Sequence, residues 1–160
     1  MISQDMFAQA EALLARLQAA GLTVATAESC TGGLVAASLT AVPGSSATVL
    51  AGFVTYANSA KTGMLGVAEE LLNRVGAVSE EVARAMAEGA LARAGADLAV
   101  STTGIAGPGG AVPGKPVGTV WLAVARRGGA TTARRHVFPG DRTEVRNATV
   151  AEALRMLEPG

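Results

Sequence analysis

At 160 residues, of which 49% are hydrophobic and 16% charged, the chain carries enough apolar surface to bury one core, which excludes a disordered segment. Thirteen basic residues cancel thirteen acidic ones and aromatic residues make up 3%, so neither the positive field nor the stacking surface of a nucleic-acid binder is expected. The one cysteine, Cys30, excludes an intramolecular disulfide and argues against a cysteine-built zinc site.

The start, MISQDMFAQAEALLARL, lacks a signal peptide's charged front and apolar centre, and no stretch approaches eighteen uninterrupted apolar residues. The expectation is a cytoplasmic protein that does not enter a membrane. Met6, Ala10, Leu13, Leu14 and Leu17 recur at helical spacing over residues 3–20, with Gly21 where a C-terminal cap belongs. LTVAT (22–26) reads as a buried strand, followed after AESCTGG by a helix from about Thr31 to Val42 that Pro43-Gly44-Ser45-Ser46 ends. TVLAGFVTY (48–56) is a second strand, and NSAKTGMLGV and AEELLNRVGA read as short helices. Ser79 with Glu80 and Glu81 opens a helix to about Ala94, closed by Gly95. ADLAVSTTG (96–104) is a third strand, and IAGPGGAVPGKP is a loop long enough to suggest function. Residues 118–127 and 131–138 form a hairpin across Gly128-Gly129-Ala130. Asp141 and Glu144 make a capping box for a last helix carried by Val145, Ala148, Leu154 and Leu157.

Helices alternate with strands until the hairpin. This order predicts one α/β domain over residues 1–160: a three-layer α/β/α sandwich with a mixed, mostly parallel sheet. In such sheets ligands bind outside the carboxyl ends of the strands, where three segments converge: Ser29–Gly33, Tyr56–Lys61 and Thr102–Gly110.

Ser29 sits where a strand hands over to a helix, with the N–H groups of Cys30, Thr31, Gly32 and Gly33 beside it. Such a place suits an oxyanion or a bound anion, and equally a plain helix cap with a glycine-assisted turn. A serine hydroxyl needs a base. The one histidine, His136, reads as a surface residue of an edge strand, which leaves a desolvated lysine, and only Lys61 and Lys115 exist. Lys61 follows the second strand, with Tyr56 five residues earlier as a proton relay. Cys30 is a rival nucleophile, but as a small buried residue with no paired base it is the weaker one. Thr103, Gly104, Ala106, Gly107 and Gly109 offer uncrowded N–H groups for an anion. Arg142 and Arg146 share a face at the start of the last helix, either pairing with acids such as Glu144 or meeting an anionic ligand. No cluster of His, Asp and Glu has metal-ligand spacing, so neither metal nor cofactor is expected.

In this order AESCTGG, GFVTYANSAK, AVSEEVARAMAEGA, STTGIAGPGG, KPVGTVWLAV and FPGDRTEVR resemble the CinA carboxy-terminal domain family over residues 5–157. The resemblance implies a three-layer fold and hydrolysis of nicotinamide mononucleotide to nicotinic acid mononucleotide and ammonia, in recycling of pyridine nucleotides. It implies Ser29 as nucleophile, Lys61 as general base, Tyr56 as a supporting hydroxyl, Arg142 and, second, Arg146 toward the substrate, and the Thr103–Gly110 loop around ribose and phosphate. Many members carry a further amino-terminal domain related to molybdopterin-binding folds, which these 160 residues do not include, so the implied activity does not need that domain in cis. The rival reading is a nucleotide-binding or interaction module without catalysis. An alanine-rich helical face would suit a homodimer.

Overall fold

The computed structural model describes residues 2–159. Its elements are α1 (Gln4–Ala19), β1 (Val24–Glu28), α2 (Leu34–Thr40), a 3-10 turn (Ser45–Ala47), β2 (Val49–Val54), α3 (Asn58–Leu65), α4 (Glu69–Val75), α5 (Glu80–Ala94), β3 (Leu98–Gly104), β4 (Thr119–Arg126), β5 (Thr132–Val137) and α6 (Arg142–Met156). The five strands form one sheet in the order β2-β1-β3-β4-β5. β1 is parallel to β2 and to β3, while β4 is antiparallel to both β3 and β5. Four strands therefore point one way and β4 alone is reversed. The sheet is mixed and mostly parallel in strand direction, although its pairings divide evenly between the two kinds.

The two faces of the sheet differ in residue size. Val24, Leu98, Val100, Val120, Leu122 and Val124 pack against Leu13, Leu17, Leu39 and Leu154 of α1, α2 and α6. On the other face Ala25, Ala27, Ala99, Ala123 and Ala125 meet Val82, Ala83, Met86, Ala87 and Ala90 of α5. Small residues on both partners let α5 lie close to the sheet, where it touches all five strands. Most of the buried alanine of this chain has that purpose.

Two boundaries beside Ser29 differ from the sequence reading. β1 extends to Glu28, because Glu28 still pairs in register with Val54 and Thr102. α2 starts at Leu34, after a turn in which Gly32 and Gly33 adopt φ of 59° and 102°. A helix beginning at Thr31 would need right-handed backbone at those glycines.

The connections place the site. β1 leads into α2 on the Val/Leu face, whereas its neighbour β2 leads into α3, which packs with α5 on the alanine face. Adjacent parallel strands whose loops leave toward opposite faces open a crevice at their carboxyl ends, where ligands bind in open α/β sheets.

Candidate active site

That crevice lies between Ser29, just past β1, and Lys61, on α3 just past β2. A cavity of about 200 Å³ is lined there by Ser29, Cys30, Tyr56, Asn58, Lys61, Ala77, Val78, Thr103, Gly104, Ala106 and Arg142.

Lys61 is the largest fully buried side chain, 1% exposed. Its Nζ lies 3.1 Å from Ser29 Oγ, 2.9 Å from the Thr55 carbonyl and 3.1 Å from the Tyr56 carbonyl. Burial lowers its pKa below the ordinary lysine value. Among the described residues no carboxylate forms an ion pair with Nζ.

Cys30 lines the same cavity, but burial pushes its thiol up to about 11. At neutral pH it is protonated and a poor nucleophile. His136 is on β5, three strands from β1, roughly 14 Å away at ordinary strand spacing. It stacks on Phe138 and its Nε2 lies 3.4 Å from Glu152, so it is half-buried on the edge strand and remote from Ser29.

The residues expected to bind substrate divide into two groups. Thr103, Gly104, Ala106 and Arg142 line the cavity with Ser29, Cys30, Tyr56 and Lys61. Thr103 Oγ1 already donates to the Ala77 carbonyl. Tyr56 is 63% exposed, and its phenol oxygen accepts from Arg142, which also donates to the Gly107 carbonyl. Arg142 thus ties the glycine loop to the β2 end of the site. Among the described residues the N–H groups of Cys30, Ala106, Gly107 and Gly109 meet no main-chain acceptor.

Thr31, Gly32, Gly33, Gly107, Gly109 and Arg146 do not line the cavity. Thr31 is buried, its hydroxyl donating to Glu28 and 2.8 Å from that of Thr102. Arg146 donates to the Cys30 and Thr31 carbonyls. Neither arginine pairs with Glu144, which closes the capping box with Asp141.

Sequence reasoning missed Glu28. Its carboxylate is fully buried and accepts from Thr31 Oγ1 (2.6 Å), Val35 N (2.8 Å) and Ala36 N (3.0 Å). It therefore caps α2 from the strand side, where a serine or threonine was expected; the residue at the cap position is Gly33, which has no side chain to do so. An acid three residues before Thr31 and seven before Val35 was the available signal. Asn58, Ala77 and Val78 also line the cavity. Asn58 opens the helix that carries Lys61, while Ala77 and Val78 carry no chemical mark at all. Among the described residues, no three His, Cys, Asp or Glu side chains come together as a metal-ligand set. No helix there is long and apolar enough to cross a membrane.

The fold and the crevice define a three-layer α/β/α domain with a buried lysine against a serine at the carboxyl ends of its parallel strands. The chain belongs to the CinA family: residues 7–159 match the model of the CinA C-terminal domain. It is 56% identical over 144 residues to a CinA-like protein of Akkermansia muciniphila and 53% identical over 157 residues to one of Citrifermentans bemidjiense, covering 90% and 98% of this chain. It spans only 35% and 38% of those relatives' lengths. A solved competence/damage inducible protein from Agrobacterium tumefaciens superposes with a TM-score of 0.94 at 49% identity, covering 98% of this chain and 96% of that one. A CinA superfamily protein from Klebsiella pneumoniae gives 0.92 at 39% identity, covering 96% of each.

Proposed function

We propose that this domain is an amidohydrolase that converts nicotinamide mononucleotide to nicotinic acid mononucleotide and ammonia through an acyl-enzyme on Ser29. The observation that carries the reading is the 3.1 Å approach of Lys61 Nζ to Ser29 Oγ inside a cage of two carbonyls. A neutral amine has two N–H donors and one lone pair. The Thr55 and Tyr56 carbonyls take the donors, which leaves the lone pair for the serine proton.

In the first step that proton passes to Nζ as Oγ bonds the carboxamide carbon and the carbonyl electron pair moves onto oxygen. The unpaired Cys30 N–H, beside Ser29, is a donor for that oxyanion. Collapse breaks the C–N bond, and Lys61 returns the proton to the leaving nitrogen, releasing ammonia. Lys61 next takes a proton from water as its oxygen attacks the ester carbon, and returns that proton to Oγ as the ester C–O bond breaks, freeing Ser29 and the carboxylic acid product. Arg142 and the Ala106 N–H at the cavity wall supply groups for the phosphate, with the free N–H groups of Gly107 and Gly109 on the adjoining loop outside the cavity lining. Family membership supports the reading through the implied Ser29, Lys61 and Tyr56 roles.

The test is ammonia release from nicotinamide mononucleotide, its riboside and nicotinamide. The mononucleotide is expected to be preferred, and Ser29→Ala or Lys61→Ala to lower kcat by about 10³-fold or more. Turnover retained in Ser29→Ala overturns the mechanism. Tight binding without turnover, indifferent to Lys61→Ala, leaves a nucleotide-binding module.

A further inference from the structure

Five residues, Ser29 to Gly33, form the turn that aims the nucleophile, and two buried or half-buried charges grip it from opposite sides. From within, the Glu28 carboxylate accepts from the Thr31 hydroxyl and from the first N–H groups of α2. From α6, Arg146 donates through Nε to the Cys30 carbonyl and through Nη2 to the Thr31 carbonyl, both at 3.1 Å. One charge satisfies donors and the other satisfies acceptors of the same short segment. The two charges are not partners of one another, since neither Glu28 nor Arg146 takes part in any salt bridge among the described residues.

Glu28 also reaches the base. Its carbonyl accepts from the Thr55 N–H at 2.8 Å, and the Thr55 carbonyl accepts from Lys61 Nζ at 2.9 Å. The Ser29 N–H, for its part, donates to the Thr102 carbonyl at 3.0 Å. Backbone and side chain of one residue thus fix the turn of the nucleophile and the strand end that orients the lysine.

We infer that Glu28 and Arg146 are positioning residues of the Ser29–Lys61 pair, Arg146 acting on the turn and not on substrate phosphate. The inference rests on the serine–lysine reading above, but not on its substrate. Arg146 donates its Nε and Nη2 hydrogens to main-chain carbonyls and does not line the cavity, so its loss is felt through geometry. A misplacement of about 1 Å at a nucleophile costs on the order of 10²-fold in rate.

The experiment has two readouts on Glu28→Gln, Arg146→Lys and the double variant, with folding followed by circular dichroism. The first is steady-state deamidation of nicotinamide mononucleotide. Each single variant is expected to lower kcat by about 10- to 100-fold with KM within threefold, and the double variant by less than the product of the two, because both act on one turn. The second is the rate at which a fluorophosphonate modifies Ser29, displacing fluoride, read by mass spectrometry; it is expected to fall by a similar factor. Arg146→Lys keeps the charge and loses the fork, so it decides the matter even if Glu28→Gln fails to fold. A raised KM for the mononucleotide but not for its riboside in Arg146→Lys makes Arg146 a substrate ligand and overturns the inference, as do wild-type kcat and labelling. If the wild-type protein is labelled at Ser29 but does not turn over the mononucleotide, the substrate reading alone falls and the labelling rates decide. If it does neither, the serine–lysine pair is inactive and both readings fall.

Discussion

Gly89, in the middle of α5, is the most informative place to perturb the proposed base, Lys61, without touching it. A Cβ there would stand 2.1 Å from the Leu65 carbonyl oxygen and 3.0 Å from its carbon, at the last turn of α3. Carbon and oxygen ordinarily approach no closer than about 3.3 Å, so Gly89→Ala forces α3 away by about 1 Å. Lys61 is four residues earlier on the same helix, about one turn along it. Moving with the helix, Nζ would retreat from 3.1 Å to about 4 Å from Ser29 Oγ, beyond hydrogen-bond reach. The expected result is a loss of about 10²-fold in kcat. Overpacking costs about 1–3 kcal/mol, and replacing a helical glycine returns about 1, so net stability should fall by only about 0–2 kcal/mol. At this size that is a drop in Tm of at most about 8 °C. Ammonia release beside a thermal melt separates the two effects. The control is Gly63→Ala on α3 itself, where a Cβ would meet nothing within 4 Å, and wild-type kcat is expected. A folded Gly89→Ala protein with kcat within twofold of wild type refutes the rigid coupling of α3 to the serine.

Three further outcomes follow from the site. Only neutral Lys61 accepts the serine proton, and burial depresses its pKa, so kcat/KM should climb with pH along a limb whose midpoint lies below the ordinary lysine value of about 10.4; a pH–rate profile with its midpoint at or above that value contradicts the base assignment. Cys30→Ala should keep turnover within about threefold, because a thiol pushed up to about 11 is not ionised near pH 7; a loss on the scale of Ser29→Ala transfers the nucleophile to Cys30. Arg142→Ala should raise KM for nicotinamide mononucleotide by about 10- to 100-fold, the worth of a charged hydrogen bond, with a smaller effect on the riboside. Equal effects on the two substrates in steady-state assays would show that Arg142 serves only to hold Gly107 and Tyr56.

Hydrophobic periodicity and turn chemistry made most elements legible, since α1, α5 and α6 each combine a clear apolar face with a capping signal at Gly21, Ser79 or Asp141. The convergence of Ser29, Lys61 and the 103–106 segment was legible because strand carboxyl ends must meet at one edge of a parallel sheet. What each polar group faces was not legible. Arg142 and Arg146 are four residues apart, yet one reaches the cavity and the other the back of the Ser29 turn, a difference set by where α6 crosses the sheet. Glu28 was hidden for a related reason: a strand-ending acid ordinarily points to water, and only the return of α2 over β1 gives it three donors. The cavity wall of Ala77 and Val78 is backbone and small side chain from the α4–α5 connection, for which no sequence pattern exists.

The carbonyl cage suits an amine as the proposed base. Two main-chain acceptors, from Thr55 and Tyr56, converge on one point beside Ser29 Oγ. A neutral imidazole has one N–H and one lone pair, so facing the serine with its lone pair it would leave at least one carbonyl without a donor, at a cost of about 1–3 kcal/mol. A primary amine satisfies both and still presents its lone pair. When it takes the proton, the third N–H points where the lone pair was, toward the oxygen or leaving nitrogen at the reacting centre. The cage therefore accommodates both protonation states without moving a heavy atom, which is what the proposed base requires as it accepts and returns a proton in acylation and again in deacylation, while burial disfavours the charged form.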